Sequence, residues 1–233
     1  MNFKSILACA ALLIGIGTAT AAVESDVVGY QTIKTTAGKY AMIGCMFEGL
    51  TGNTLTDILK PTNPASFSAG DIVMIHTGSG YDTYEYKAGG RGDTEVTWRT
   101  SGGTKSEPTI EPGTAFWVKT TADMELLTSG AVLAEESTIE TVANQYKMAS
   151  FSYPVDYVLN DLPIENLSTG DFVMIHNGDG YDTYEYKAGG RGDSVVSWRT
   201  SGGTKTDVEI PAGKAFWLKT AKTVTITVDS PIK

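Results

Sequence analysis

Histidine is scarce in this chain, with only His76 and His176 among 233 residues, and the scarcity narrows the chemistry at once. The two stand 100 residues apart in matching contexts, so one structural unit would hold one of them. That leaves no His pair for a metal and no evident Ser-His-Asp arrangement. Cysteine is as rare. Of Cys9 and Cys45, the first lies in an N-terminal apolar run, and a chain that loses this run keeps one thiol, which excludes an intramolecular disulfide. Basic residues are outnumbered, 18 Lys and Arg against 27 Asp and Glu. Such a chain repels nucleic acid and anionic lipid, and it has no basic patch to supply the phosphate term of nucleic-acid affinity. No stretch approaches the roughly 20 apolar residues of a membrane span.

The apolar run that is present reads as a leader. Lys4 precedes Ile6 to Ile16, and Ala19-Thr20-Ala21 follows as a small-x-small cleavage pattern, so residues 1–21 are predicted to be a secretory signal peptide cleaved near Ala21. Cys9 comes too early in the run to be a lipoprotein cleavage site. Cleavage removes Lys4 and no acid, which takes the formal charge from −9 to −10. The mature protein is expected to be secreted or held at the cell surface, and Cys45 would then be an odd thiol in an oxidising compartment. It aligns with Phe151 in the repeat described next, which favours a buried core thiol over a reactive or intermolecular one.

The chain is dominated by a tandem repeat. Gly80 to Lys105 and Gly180 to Lys205 differ only at Thr94/Ser194, Glu95/Val195 and Thr97/Ser197. The offset of 100 holds from Gly70-Asp71 to Lys119-Thr120. Upstream, Ala37 to Met42 matches Ala143 to Met148 at an offset of 106, and the difference is absorbed between Leu55 and Ala69, which predicts a variable loop there. Two units follow, residues 22–132 and 133–233, with a boundary between Gly130 and Ser137 and a size at which each can fold alone. Their second halves have diverged far less than their first halves. Either a shared task or local gene conversion explains that.

Within each unit short runs of alternating or β-branched residues recur between glycine-rich turns: 26–32, 40–47, 71–76, 81–87, 96–100, 115–120 and 124–127, repeated in the second unit and closing with 223–228. Only Thr54 to Lys60 and Tyr157 to Leu162 suggest a helical turn. The expected class is all-β, two tandem antiparallel β-sandwich or barrel-like domains from an internal duplication. Period-two geometry puts Tyr84, Tyr86, Val96, Trp98, Phe116 and Val118 in one aromatic core. Trp117 points opposite Phe116, into a second layer or into solvent.

The succession Tyr-x-Met-x-Ser-Phe-x-Tyr-Pro (Tyr146 to Pro154), Gly-Asp-x-Val (Gly170 to Val173), Tyr-Asp-x-Tyr-x-Tyr (Tyr181 to Tyr186), Trp198 and Ile-Pro-Ala-Gly-x-Ala-Phe-Trp-Leu-Lys (Ile210 to Lys219) resembles a β-rich accessory module of secreted and surface bacterial proteins. In that module a W-N-L-[IV]-x-N-P-Y-P strand precedes a G-x-[AG]-F-[FW]-[VL]-K strand; this sequence lacks the family's Trp-Asn and Asn-Pro pairs. The resemblance covers nearly the whole mature chain, twice. It implies a non-catalytic extracellular module without a well-defined ligand.

Four groups of residues are candidates for chemistry. Trp98, Trp117, Trp198 and Trp217 are all the tryptophans; Trp117 and Trp217, with Arg99 and Arg199 in reach, suit stacking on a sugar, and two copies would give avidity. Arg91-Gly92-Asp93 and Arg191-Gly192-Asp193 are RGD tripeptides in glycine-rich turns, able to serve adhesion or simply to turn the chain, with Asp93 bonding the turn backbone. Asn177, Asp179 and Asp182 alternate like a calcium loop, but the twin segment loses two of these ligands and no glutamate follows at the usual distance, so a plain hairpin turn is the favoured reading. A hydrolase would have to rest on carboxylates, of which Asp71, Asp82, Glu85 and Asp93 recur as Asp171, Asp182, Glu185 and Asp193, and surface solvation explains these more simply. The expected function is a secreted, non-catalytic structural or adhesive surface protein; the alternatives are a bivalent carbohydrate-binding protein and a carboxylate-based hydrolase. No cofactor and no metal are expected. The expected partner is an extracellular glycan or another surface protein, with no nucleic acid and no membrane span.

Overall fold

A computed structural model of the chain describes residues 27–90, 92–190 and 192–232. The predicted leader with its cleavage site, and Arg91 and Arg191 of the two RGD tripeptides, lie outside the described residues. In the first half the elements run β1 (Val28–Thr35), β2 (Tyr40–Gly44), α1 (Leu55–Ile58), β3 (Leu59–Asn63), β4 (Ile72–His76), β5 (Tyr81–Gly90), β6 (Asp93–Thr100), β7 (Ala115–Lys119) and β8 (Met124–Ala131). The second half continues with β9 (Ser137–Glu140), β10 (Tyr146–Ala149), β11 (Tyr157–Val158), β12 (Phe172–His176), β13 (Tyr181–Gly190), β14 (Asp193–Thr200), β15 (Glu209–Ile210), β16 (Phe216–Lys219) and β17 (Thr225–Val228).

The protein is all-β and its strand pairs are antiparallel. The first half holds a five-stranded sheet of order β2-β7-β4-β5-β6, and the second holds one of the same order, β10-β16-β12-β13-β14. Smaller sheets lie with them: β1-β8-β3 in the first half, and β9-β17 and β11-β15 in the second. Alternation decides what each strand buries. In the first half Ile43, Val73, Phe116 and Val118 point into one apolar cluster with Trp98, Leu126 and Ile110, and Tyr84 and Tyr86 pack against it. Five of the six residues expected in this core are there. Val96 is the exception, 42% exposed, because it lies further out along β6, next to the register shift between Ala88 and Gly90.

The stretch read as a variable loop, 55–69, is partly ordered secondary structure. Leu55 and Ile58 bury the inner side of α1, and the Asp57 carboxylate accepts the Thr54 backbone N–H at 3.2 Å and its hydroxyl at 2.6 Å, closing the helix start. β3 then pairs with β8. Its Lys-Pro-Thr-Asn composition hides it from a strand pattern, since proline and polar residues are tolerated at a sheet edge, and β3 is an edge strand.

Cys45 is buried, 1% exposed, with its thiol directed at the Phe47 carbonyl at 3.3 Å. Burial pushes the thiol up to about 12, so the reactive-thiol alternative has no thiolate to act through at neutral pH. The second half's cluster, built on Phe151, Tyr153, Val173, Trp198, Phe216 and Leu218, also takes in Met46, Phe47 and Val132. Among the described residues no helix is long and apolar enough to cross a membrane.

Candidate functional site at the seam between the sheets

The outward faces of the two five-stranded sheets are where the sequence candidates were expected to meet ligand, and they meet each other instead. Register places Trp117 on β7 between Met42 on β2 and Met74 on β4. On the other sheet Trp217 lies between Met148 on β10 and Met174 on β12. Each sheet thus carries a Met-Trp-Met row on the side away from its own core. The rows close on one another: Met42, Ala115, Trp117, Met148, Ala215 and Trp217 form one buried cluster, with Met74 and Met174 packed against it.

The contacts across this seam recur when the halves are exchanged. His76 stands edge-on to Trp217, with ring centroids 4.9 Å apart and planes at 83°, and His176 meets Trp117 at 4.9 Å and 85°. Tyr81 in turn meets His76 at 5.3 Å, and Tyr181 meets His176 at 5.4 Å. Burial holds both imidazoles below their ordinary value, helped by Lys147 near His76 and by Lys214 near His176, where Asp179 partly opposes it.

Polar contacts tie one side of the seam more firmly than the other. The Gly44 N–H donates to the Gly213 carbonyl at 2.9 Å, and Ile43 bridges Lys214. Gln31 Nε2 donates to the Ala212 carbonyl at 2.8 Å, and Lys39 pairs with Asp179 at 2.7 Å. The approach is close enough to require glycine. A Cβ on Gly44 would come 2.3 Å from that of Ser150, and one on Gly213, at φ +70°, would come 2.1 Å from Gln31 Oε1.

Trp117 and Trp217 are therefore not exposed stacking platforms; each is 7% exposed, because the opposite sheet covers it. Arg99 and Arg199 do not reach them either. Arg99 lies on β6, at the opposite edge of the sheet from β2 with β4 and β5 separating it from β7, and is 4% exposed. Its fork is spent internally on the carbonyls of Lys87 (3.1 Å), Gly103 (3.2 Å) and Glu95 (3.1 Å) and on the Asp93 carboxylate (2.7 Å). Arg199 repeats this with Lys187, Gly203, Val195 and Asp193.

Asp93 and Asp193 of the RGD tripeptides, each with about half of its side chain exposed, are tied back to their own turns. Asp93 accepts the Glu95 backbone N–H at 3.1 Å besides its bond from Arg99, and these donors hold its carboxyl below the usual range. Arg199 and the Val195 N–H do the same for Asp193. Gly92 and Gly192 supply positive φ, +93° and +94°, at the turn. The Gly-Asp pairs 92–93 and 192–193 thus have the backbone-bonding arrangement of a turn in both copies.

In the calcium-like segment the oxygens are taken by the chain itself. Asn177 Oδ1 accepts the N–H of Asp179 and Gly180, Asn177 Nδ2 donates to Asp182 at 3.0 Å, and Asp179 is paired with Lys39. Among the described residues no group of three or more His, Cys, Asp and Glu side chains is placed to hold a metal ion. Of the remaining carboxylates, Asp71 is buried against the backbone N–H groups of Ser68 and Thr121, and Glu85 pairs with Lys87.

Clefts open along both sides of the seam, two of them lined by Tyr40 and His176. One, of about 370 Å³, runs between β1, β2 and the segments 176–178 and 211–214; Lys34, Lys39, Tyr40, His176 and Lys214 line it. The other, of about 350 Å³, is lined by Tyr40, Tyr81, Trp117, His176, Asp179 and Tyr181. The chain matches no protein-family model, no curated protein and no solved structure. The residues that sequence reasoning missed, Tyr40, Met42, Met148, Lys214 and the two histidines, had one available signal. Three neighbouring strands in each half carry an apolar residue on the outward face, which a solvated face would not.

Proposed function

We propose that the protein is an exported, non-catalytic structural or adhesive protein of the cell surface or extracellular space, built from two like units held face to face. The observation that carries this reading is the use of the repeated stretch. Its chemically capable side chains, Arg99 and Asp93 with their twins Arg199 and Asp193, are committed to internal bonds. The two tryptophans that could have met a ligand instead cover each other's sheets. The resemblance to bacterial surface accessory modules agrees with this, as does the leader-like stretch before Ala22. Units of residues 22–132 and 133–233 are part of the same reading.

Fractionation of the producing cell with mass spectrometry of the chain tests it. The protein should be found outside the cytoplasm with Ala22 or Val23 at its N-terminus. An intact Met1 on a chain confined to the cytoplasm would overturn the proposal. Sugar binding stays as a second reading because Tyr40, Tyr81 and Tyr181 are 39–43% exposed around one seam cleft. It moves from the tryptophans to these tyrosines.

A further inference from the structure

The chain carries nine more acidic than basic side chains, yet the seam cleft of about 370 Å³ is lined by Lys34, Lys39 and Lys214 with His176 beside them. Lys39 is answered by Asp179 at 2.7 Å. Lys34 and Lys214 have no carboxylate within ion-pair distance among the described residues. Lys214 is the more unusual of the two. Its backbone is pinned by the bridge to Ile43, and burial holds its ammonium below the ordinary value while the more distant Asp182 only partly offsets this. A partly desolvated cation without a partner costs free energy. The neighbouring Gln31 side chain is also incompletely satisfied, with a buried Oε1 that has no hydrogen-bond partner.

The repeat shows that this basic lining is not required by the fold. The position equivalent to Lys214 is Thr114, that of Lys34 is Glu140 and that of Lys39 is Gln145. The cleft on the opposite side of the seam is accordingly lined by Thr114, Glu140, His76 and Lys147. Only one side is basic.

Tyr40 and His176 also line the second cleft, so the two clefts adjoin. Along them stand Tyr40, Tyr81 and Tyr181, exposed aromatic side chains contributed by both halves. Aromatic rings with a polar rim suit the apolar faces of sugar rings, and an unpaired lysine suits a carboxylate. We propose that this groove binds a uronate-type oligosaccharide, with a sugar carboxylate on Lys214 and Lys34 and sugar rings on the tyrosines. A neutral sugar would leave Lys214 unanswered, and an inorganic anion would leave the tyrosines unused. The proposal goes beyond the structural reading above and does not depend on it, since that reading is tested at the N-terminus and in the cell.

Calorimetric titration of the mature full chain with tetragalacturonate, with its methyl ester and with a glutamate tetrapeptide tests it. The acid should bind with one site per chain, and the ester, which keeps the rings but loses the charge, about tenfold or more weakly. Lys214→Thr, which installs the residue of the twin position, should weaken the acid by a similar factor without lowering the melting temperature. Tyr181→Ala should weaken acid and ester alike. Should Lys214→Thr melt early, Lys34→Glu, again the twin's residue, supplies the same comparison. No binding of the acid, equal binding of the ester, unchanged binding by the lysine variant, two sites per chain, or equal affinity for the glutamate peptide would each overturn the assignment.

Discussion

His76 and Trp217 belong to different halves of the chain and stand edge-on, 4.9 Å between ring centroids. The same contact is made by His176 and Trp117, so each half lends a histidine to cover the other's tryptophan. An isologous contact of this kind is what two copies of one surface form about a two-fold axis. Here both copies lie in one chain.

Removing a seam tryptophan should therefore behave as a core truncation. Trp117→Ala and Trp217→Ala are each expected to lower stability by about 3–5 kcal/mol, read from urea denaturation at neutral pH. The double variant should cost less than the sum, because the two rings share one cluster. Wild-type midpoints for both single variants would mean that the seam contributes nothing.

The histidines give the seam a pH dependence whose sign follows from their depressed values. The unfolded chain takes up protons near the ordinary value of 6.5, before the folded chain does. Stability is thus fully present above about pH 6.5 and is lost as the pH falls from there through the folded values. Carboxylates such as Asp93 and Asp193, also held low, act in a separate window below their ordinary value of 3.8. Thermal melts from pH 7.5 to 5 should show the decline, and His76→Gln with His176→Gln should flatten it. An unchanged slope in that double variant would assign the effect elsewhere.

Cys45 should be silent in the native protein. With its thiol pushed up to about 12 and 1% of the residue exposed, a thiol reagent at pH 8 should label it only in denaturant. Rapid labelling of the native chain would contradict its place in the core.

Arg99 and Arg199 hold the outer ends of the two large sheets. Arg99→Lys keeps the charge but cannot reach three carbonyls and Asp93 at once, and the expected loss is about 2–3 kcal/mol. Chemical denaturation of the single variants would register it, and Arg199→Lys should match Arg99→Lys closely, given equivalent bonds. A loss confined to one of them would show that the two hairpins are not equivalent.

A fragment of residues 136–233 tests how separate the halves are. It keeps one five-stranded sheet but loses Met46, Phe47 and Val132 from its apolar cluster and the cover over Trp217. It should unfold cooperatively, at a clearly lower temperature than the full chain. A fragment that never folds would make the chain a single folding unit.

The all-β class, most of the strands and the first aromatic core were legible in the sequence, because alternation and glycine turns are local and the repeat printed them twice. Phe116 inward and Trp117 outward follow from period two alone. A helical turn at Thr54 to Lys60 was legible too, whereas β3 was not, since an edge strand pairs through its backbone and tolerates Pro61. What covers an outward Trp117 is a different kind of question. Alternation fixes which face a side chain takes but not what stands opposite that face, and the answer, a second sheet bringing His176 from 59 residues further along, exists only once the halves have docked. Arg99 was misplaced for the same reason: its partners Lys87, Gly103 and Asp93 are near in sequence, but only the β5–β6 register and the turn after β6 bring their oxygens around one guanidinium. The basic groove depends on that docking as well, because Lys34 and Lys214 come from different halves of the chain and line one cleft only where Ile43 bridges the second half.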